Sequence, residues 1–369
     1  MDPLLRKLGI ELPIIQAPMA GVSTPEMAAA VSNAGGLGSI GVGAIDADGT
    51  RKMISAVRSR TDRPFQVNVF CHQPARADHP REEAWLERLR PEFVRYGATP
   101  PARLTEIYQT FLTDDARLAV LLEERPAVVS FHFGLPSRDR IEALHAVGIV
   151  LLATATNLEE GKAIAAAGID AVVAQGHEAG GHRGVFDPLE PDDRLETAAL
   201  TRLLLKELSI PVIAAGGIMT GAGIAGFLRL GAAAAQLGTA FIACPESSAD
   251  SGYRAALLGG AAGQTMMTTA ISGRPARCLA NRFTALGAGI ERGMVPDYPI
   301  AYGAGKALHA AAKTQGEFGY GAQWAGEGAR LARVHPADEL VARLKREMEQ
   351  ALSASMNDLI RSDPGGPAR

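Results

Sequence analysis

Short, continuous apolar runs recur along the chain, each followed by a stretch whose apolar residues fall three and four positions apart. The runs are Pro13–Ala17, Leu37–Gly41, Phe65–Phe70, Val128–Phe133, Val150–Thr154, Ala171–Gln175, Val212–Ala215 and Ala234–Leu237. The amphipathic stretches are Pro25–Ala34, Gly49–Arg60, Leu104–Glu124, Arg138–Val147, Leu158–Ala167, Ala198–Leu208 and Gly221–Leu230. A strand that is apolar throughout must be covered on both faces, which is the condition of a parallel strand lying between helices. Eight strands alternating with helices predict an α/β protein folded as a (β/α)8 TIM barrel. A doubly wound open sheet is the alternative; eight regular units without an early dinucleotide fingerprint favour closure.

Two stretches break the rhythm. Cys71–Pro101 holds five prolines and many charges, and reads as an excursion after the third strand. From about Gly263 to Arg333 the chain is rich in glycine, with scattered aromatics and no strand–helix alternation. This predicts a smaller cap or substrate domain over the barrel mouth. His335–Ser355 returns to amphipathic spacing as the last barrel helix. The expected partition is therefore 1–262 plus 334–369 for the barrel and 263–333 for the cap, inserted before the last helix.

Composition narrows the function classes. The chain has 369 residues, 47% hydrophobic and 5% aromatic, with a net charge of −3. Acids slightly outnumber bases, so there is no footprint for nucleic acid. Cys71, Cys244 and Cys278 have no metal-ligand spacing, and an odd count argues against a disulfide framework. The histidines show no metal spacing either, and no metal is expected. The opening MDPLLRKLGIEL lacks a signal-peptide core, and no apolar run reaches the ~18 residues of a membrane span. A cytoplasmic protein without a membrane partner is expected; a homo-oligomer is left open.

In such a barrel the active site lies at the carboxyl ends of the strands. That rule collects Ala17–Gly21, Asn68, the Ser130–Gly134 stretch, Gln175 with the GHEAGGHRG stretch that follows, Gly216–Gly217 and Gln236–Thr239 around one mouth. Glycines after the seventh and eighth strands would let backbone N–H groups approach a phosphate, with Thr220–Gly221 capping a following helix. Asn68 and Gln175 could hydrogen-bond a flat heterocycle, and the small residues of Ala17–Gly21 could lie along its edge. These features suit flavin mononucleotide (FMN) better than a sugar phosphate.

At this point the chain resembles a known family. "QAPMAGVSTPEMAAAVSNAGGLG" (Gln16–Gly38), "SFHFGLP" (Ser130–Pro136), "AQGHEAGGHRG" (Ala174–Gly184), "AAGGI" (Ala214–Ile218), "QLGTAF" (Gln236–Phe241), "ISGRPAR" (Ile271–Arg277) and "QWAGEG" (Gln323–Gly328) are similar to class I nitronate monooxygenase, formerly grouped as 2-nitropropane dioxygenase. The resemblance covers nearly the whole chain. It implies a non-covalent FMN in a TIM barrel and the oxidation of alkyl nitronates by O2 to a carbonyl compound and nitrite, with propionate 3-nitronate as substrate. It implies flavin contacts at Ala17, Met19, Asn68, Gln175, Gly180, Gly217, Gln236, Leu237, Gly238 and Thr239. It puts the active-site histidine at His182, a second histidine near the substrate at His132, and pocket-lining residues from the cap at Tyr298, Tyr302 and Lys306.

Of the two histidines in the loop, His182 is expected to orient and hydrogen-bond the substrate, or to act as general base if a neutral nitroalkane is used. Gly180 and Gly181 are expected to pass beside the flavin ring, where a Cβ would collide with it. Gly216 joins Gly217 in the phosphate turn. His177 is expected to hold the loop, and Glu178 to pair with Arg183. Lys306 and Arg274 are further candidate cations, and Trp324 is a candidate wall. The rival readings are an FMN-dependent NAD(P)H:quinone reductase, a flavin-type enoyl reductase and a phosphate-ligand sensor without turnover.

Overall fold

A computed structural model describes residues 2–362, with side chains described as far as 354. Residues 363–369 of the expected barrel segment lie outside it. The strands are β1 (Ile14–Gln16), β2 (Gly38–Gly41), β3 (Phe65–Phe70), β4 (Val128–His132), β5 (Val150–Ala155), β6 (Ala171–Gln175), β7 (Gly181–His182), β8 (Val212–Ala215), β9 (Ala234–Leu237), β10 (Thr265–Thr268) and β11 (Ala276–Leu279). Eight of them form one parallel sheet in the order β1-β9-β8-β6-β5-β4-β3-β2. A parallel bridge between Ile15 and Leu37 joins its ends, and the Gln16 and Leu37 amides donate across the seam to Leu37 O (2.9 Å) and Ile14 O (2.9 Å). The sheet is thus a TIM barrel, and the open-sheet alternative is excluded. Strands such as Val150–Ala155 and Val212–Ala215 are buried at every position, as the absence of polar alternation requires.

Side-chain caps start the covering helices. Thr24, Asp46, Asn157 and Thr220 each accept a backbone N–H three residues on. The expected helix Leu104–Glu124 forms only as Asp115–Glu124. Asp114 caps it through the Arg117 amide, and the Phe111 amide is taken by the carbonyl of Phe70, the last residue of β3. The apolar positions before the cap, Leu104, Tyr108 and Phe111, are buried as an extended loop, so their spacing reports burial rather than helix.

The prolines of the 71–101 excursion do not prevent a helix, which spans His79–Arg95 with Pro80 in its first turn and Pro91 inside. The 263–333 segment carries more regular structure than its sequence suggests. β10 and β11 pair antiparallel, and helices span Arg282–Gly287 and Ile300–Lys313. Its core joins that of the excursion: Trp85, Leu89 and Phe93 pack among Phe283, Leu308 and Tyr320. The third strand of the small sheet is β7, which lies in the loop after barrel strand β6.

The last helix, Ala337–Ser362, lays Leu340, Val341, Leu344 and Met348 against Ile224, Ala225, Met27 and Val31. Glu347 on this helix accepts the Gly221 amide at 2.9 Å, so it occupies the N-terminus of the Gly221–Arg229 helix. Arg333 (2.6 Å) and Arg343 (3.0 Å) hold the other carboxylate oxygen. Burial works to raise the pKa of this carboxyl, but the Gly221 N–H and the two guanidinium groups outweigh it and bring it to about 2. Among the described residues no helix is long and apolar enough to cross a membrane.

Replacing Glu347 with Gln should lower the unfolding free energy at pH 7 by about 1–2 kcal/mol, read from urea denaturation. A carboxyl held below its ordinary value contributes stability above that value and loses it as pH falls toward the native one. The gap between variant and wild type should therefore close between about 4.5 and about 2; a gap constant across that window would contradict the assignment.

Candidate active site

The carboxyl ends of the barrel strands and the 263–333 segment enclose one cleft of about 1360 Å3 including its mouth. One end is formed by Ala215, Gly216, Gly217, Gln236, Gly238 and Thr239, at the tips of β8 and β9. The other is an aromatic chamber of Tyr108, Phe133, His182, Tyr298, Tyr302 and Trp324. Between them run Ala17 to Ala20, Asn68, His132, Gln175, Gly180 and Gly181. Among the described residues lining the cleft, none is an aspartate, glutamate, lysine or arginine.

Three sequence candidates, Leu237, Lys306 and Arg274, stand outside this lining. Leu237 is turned into the core beside Ile14 and Ala235; it meets the β1 tip through its carbonyl, which accepts the Ala17 amide at 2.8 Å. Lys306 lies behind the wall, with its ammonium over the rings of Tyr108 (4.8 Å) and Tyr302 (5.2 Å). Its side chain is exposed at the surface, and partial burial lowers its pKa.

The helix expected to offer its dipole to a phosphate, Gly221–Arg229, has its N-terminus under the last helix and occupied by Glu347. What remains at that end is the backbone of the two turns. Gly216 and Gly217 adopt φ of 130° and 67°, which L side chains rarely reach. The short helix Thr239–Ile242 begins at Gly238. The 326–328 segment closes over this end: the Gly326 amide donates to Thr239 Oγ1 at 3.0 Å, and a Cβ on Gly328 would fall 2.9 Å from the Gly217 carbonyl oxygen. Sequence reading missed Gly326 and Gly328 as lining residues, although both lie in a quoted motif. It missed Tyr108 because the surrounding apolar spacing reads as helix.

His182 sits where barrel and cap meet. As part of β7 it pairs with Ala276 of β11, and Gly181 pairs with Arg277. From the barrel side its carbonyl accepts two donors, Gln175 Nε2 at 2.9 Å and His132 Nε2 at 3.3 Å. A carbonyl partner requires a proton on His132 Nε2, so Nδ1 accepts from the Thr154 hydroxyl at 3.1 Å. Gln175 also takes the Gly184 amide on its Oε1 at 2.7 Å. Its amide therefore fixes the His182 loop from both ends, while its second Nε2 hydrogen has no acceptor among the described residues. Asn68 Nδ2 is likewise directed to Ser130 Oγ at 2.8 Å.

The glycines before His182 answer to the protein backbone. A Cβ on Gly180 would fall 2.4 Å from the Gly326 nitrogen, so Gly180 is small because the cap loop crosses it. Gly181 adopts φ 76°. The pairing expected between Glu178 and Arg183 does not form. Glu178 accepts the Thr197 amide (2.8 Å) and hydroxyl (2.8 Å), while Arg183 pairs with Asp192 at 2.8 Å. His177 binds through its backbone, its amide to Leu195 O at 2.8 Å and its carbonyl to Arg277 Nε at 3.0 Å.

The His182 ring packs among Trp324, Tyr298, Phe133 and Tyr302, with centroids 5.0, 5.3, 5.7 and 6.1 Å away. Its Nε2 lies 2.9 Å from Ser272 Oγ, and Nδ1 has no protein partner among the described residues. Burial, followed by His132, Arg274 and His72, pushes its pKa down to about 3. His132 is lowered to about 3 mainly by burial. Both rings are neutral at physiological pH. Tyr298 lines the chamber, and its hydroxyl is buried with no hydrogen-bond partner among the described residues.

The nitronate monooxygenase family model matches residues 2–347. The chain is 66% identical to a nitronate monooxygenase of Paraburkholderia phytofirmans over 349 residues, 95% of each chain. It is 56% identical to a nitronate monooxygenase of Pseudomonas aeruginosa, over 94% of this chain and 99% of that one. Among solved structures, a nitroalkane oxidase from Streptomyces ansochromogenes superposes with a TM-score of 0.88 at 42% identity, covering 95% of this chain and 99% of that one. A parallel barrel whose mouth is closed around a neutral, cap-anchored histidine, together with these matches along nearly its full length, makes the chain a member of the nitronate monooxygenase family.

Proposed function

We propose that the cleft holds FMN and that the enzyme oxidises alkyl nitronates, propionate 3-nitronate among them, with O2 to a carbonyl compound and nitrite. The observation that carries this reading is the pairing, in one cleft, of a glycine-turn end with an aromatic chamber holding an uncharged His182 and an unspent Tyr298 hydroxyl. The residues present fit a flavin. The cleft is long and its lining is neutral, with the backbone of Ala17–Ala20 along its wall. A phosphate at the glycine end would be held by N–H groups of Gly216, Gly217 and Thr239. The crossing of that end by Gly326 and Gly328 favours FMN over a dinucleotide.

The flavin supplies electron acceptance from the substrate and the reaction with oxygen. The protein supplies the place and charge state of the substrate. A nitronate is already an anion, so its binding needs donors rather than a strong base. Tyr298 offers one; burial first of all raises its pKa and keeps the phenol protonated. His182 offers the other through Ser272. That hydroxyl can give its proton to His182 Nε2 (2.9 Å) or to the Arg274 carbonyl (3.2 Å). The first choice leaves the proton on Nδ1, which then donates to an anion. The second leaves a lone pair on Nδ1, which could accept a proton from a neutral nitroalkane. A base held at about 3 removes a carbon proton poorly, so the preformed anion is the better substrate.

A reductase acting on NAD(P)H would share the cofactor end but would not need the donors of the chamber. Under anaerobic conditions ethyl nitronate should bleach the bound flavin far faster than NADH or NADPH. Equal or faster bleaching by the nicotinamides would reverse the choice. The cofactor released on heating should be FMN; release of FAD would contradict the closed phosphate end.

The His182→Asn variant should lose about 100-fold or more in kcat while retaining flavin colour. Near-wild-type turnover in a flavin-loaded variant would remove His182 from the mechanism. Because His182 stays neutral well below its ordinary range, kcat/KM for a preformed nitronate should show no histidine inflection between pH 6 and 9. A break near the ordinary value of 6.5 that disappears in His182→Asn would show instead that the ring titrates during turnover.

A further inference from the structure

Four arginines are buried among the described residues: Arg117, Arg183, Arg274 and Arg277. Three have a carboxylate. Arg117 pairs with Asp114, Arg183 with Asp192 and Arg277 with Glu327. Arg274 makes no ion pair, is 2% exposed, and leaves its Nε without a hydrogen-bond partner. Its Nη2 donates to the carbonyl of Val185. The same peptide group gives its Phe186 N–H to Glu160 Oε1 at 2.7 Å. Glu160 thus makes no contact with Arg274 except through a neutral peptide, and it acts on the guanidinium, as Asp187 does, across space. A guanidinium buried without a direct counter-ion is costly unless something anionic shares its surroundings.

The free face of this cation is directed at the chamber. The Arg274 Cζ sits 4.2 Å from the centre of the Phe133 ring. The same ring lies 5.7 Å from His182 and 5.4 Å from Tyr298. Phe133 is held at φ 75°, one of three non-glycine residues with positive φ among those described, and it is followed by Gly134 at φ 146°. Backbone strain of this kind persists where the surroundings require it. Here it delivers the ring that separates a buried charge from a cleft whose lining has none.

We propose that Arg274 is the electrostatic determinant of anion selectivity: its unpaired charge, one ring's thickness behind the chamber wall, sets the preference for a nitronate over the neutral nitroalkane. Arg274 is a positioning residue, because it acts across Phe133 and does not touch the substrate. In the low-polarity setting of the chamber a unit charge at this range is weakly screened, and the anion is favoured by an order of magnitude or so. Burial first of all keeps His182 and His132 neutral, and the Arg274 charge acts in the same direction, since protonating either would place two cations together. This inference rests on the nitronate reading above and names what selects that substrate.

The test compares flavin-loaded wild type, Arg274→Lys and Arg274→Gln. Three quantities are read: the dissociation constant of nitrite from its perturbation of the flavin spectrum, the KM of ethyl nitronate, and the inhibition constant of neutral nitroethane. Arg274→Gln should weaken nitrite and ethyl nitronate about tenfold and leave nitroethane within about twofold, while Arg274→Lys keeps most of the selectivity. Equal weakening of all three ligands, or none, in a flavin-loaded Gln variant overturns the proposal. So does a Lys variant as unselective as Gln. Should Arg274→Gln not retain flavin, Glu160→Gln carries the test, because it removes a carboxylate that acts on Arg274 and leaves Arg274 in place. Tighter nitrite binding supports the proposal, and unchanged or weaker binding refutes it. Failure of wild type to turn over ethyl nitronate at all would instead refute the nitronate reading itself.

Discussion

The pairing of Gly181 and His182 with Arg277 and Ala276 is the contact on which the rest of the site depends, because it joins two parts of the chain that the barrel alone would leave apart. A loop following a barrel strand has no intrinsic position. This one is held from outside by a strand of the cap sheet, and from inside by the Gln175 amide and the His132 ring on a single carbonyl. Gly180 has to be a glycine so that Ala325 and Gly326 can cross it at backbone distance. The backbone that carries the imidazole is thus fixed by contacts from β4, β6, β11 and the 325–326 segment.

Charge in the site is organised at a distance. Among the described lining residues the cleft has no ionised side chain, yet its histidines lie far below their ordinary range and a buried arginine lies behind Phe133. A neutral wall with a cation behind it attracts an anion without immobilising it in a direct ion pair. A direct pair would compete with chemistry that has to move charge off the substrate. Keeping His182 uncharged suits the same end, for its N–H can stabilise an anion and release the product without a change of protonation.

The barrel was legible because burial on both faces imposes an apolar run on each strand, and the eight runs read from the sequence contain or closely match the eight strands of the sheet. The ring of residues at the strand tips was legible for the same reason: the fold dictates which end of each strand carries chemistry. The 104–114 loop was not, because buried residues in an extended loop can fall at helical spacing. The strands and core of the 263–333 segment were not, because those strands are four residues long and the core is completed by Trp85 and Phe93 from a segment nearly two hundred residues earlier.

By itself, then, the sequence determined the barrel, the order of its strands, the residues gathered at its mouth and the family to which they belong. These follow from local periodicity and from motifs contiguous in the chain. Only the tertiary structure decided what each polar group is committed to. Gln175 holds a loop, Lys306 stands behind two tyrosines, Glu347 fills a helix end that had looked ready for a phosphate, and Arg274 remains without a carboxylate. Hydrogen-bond partners are fixed by which groups are buried together, and that depends on contacts across the whole chain that no local pattern encodes.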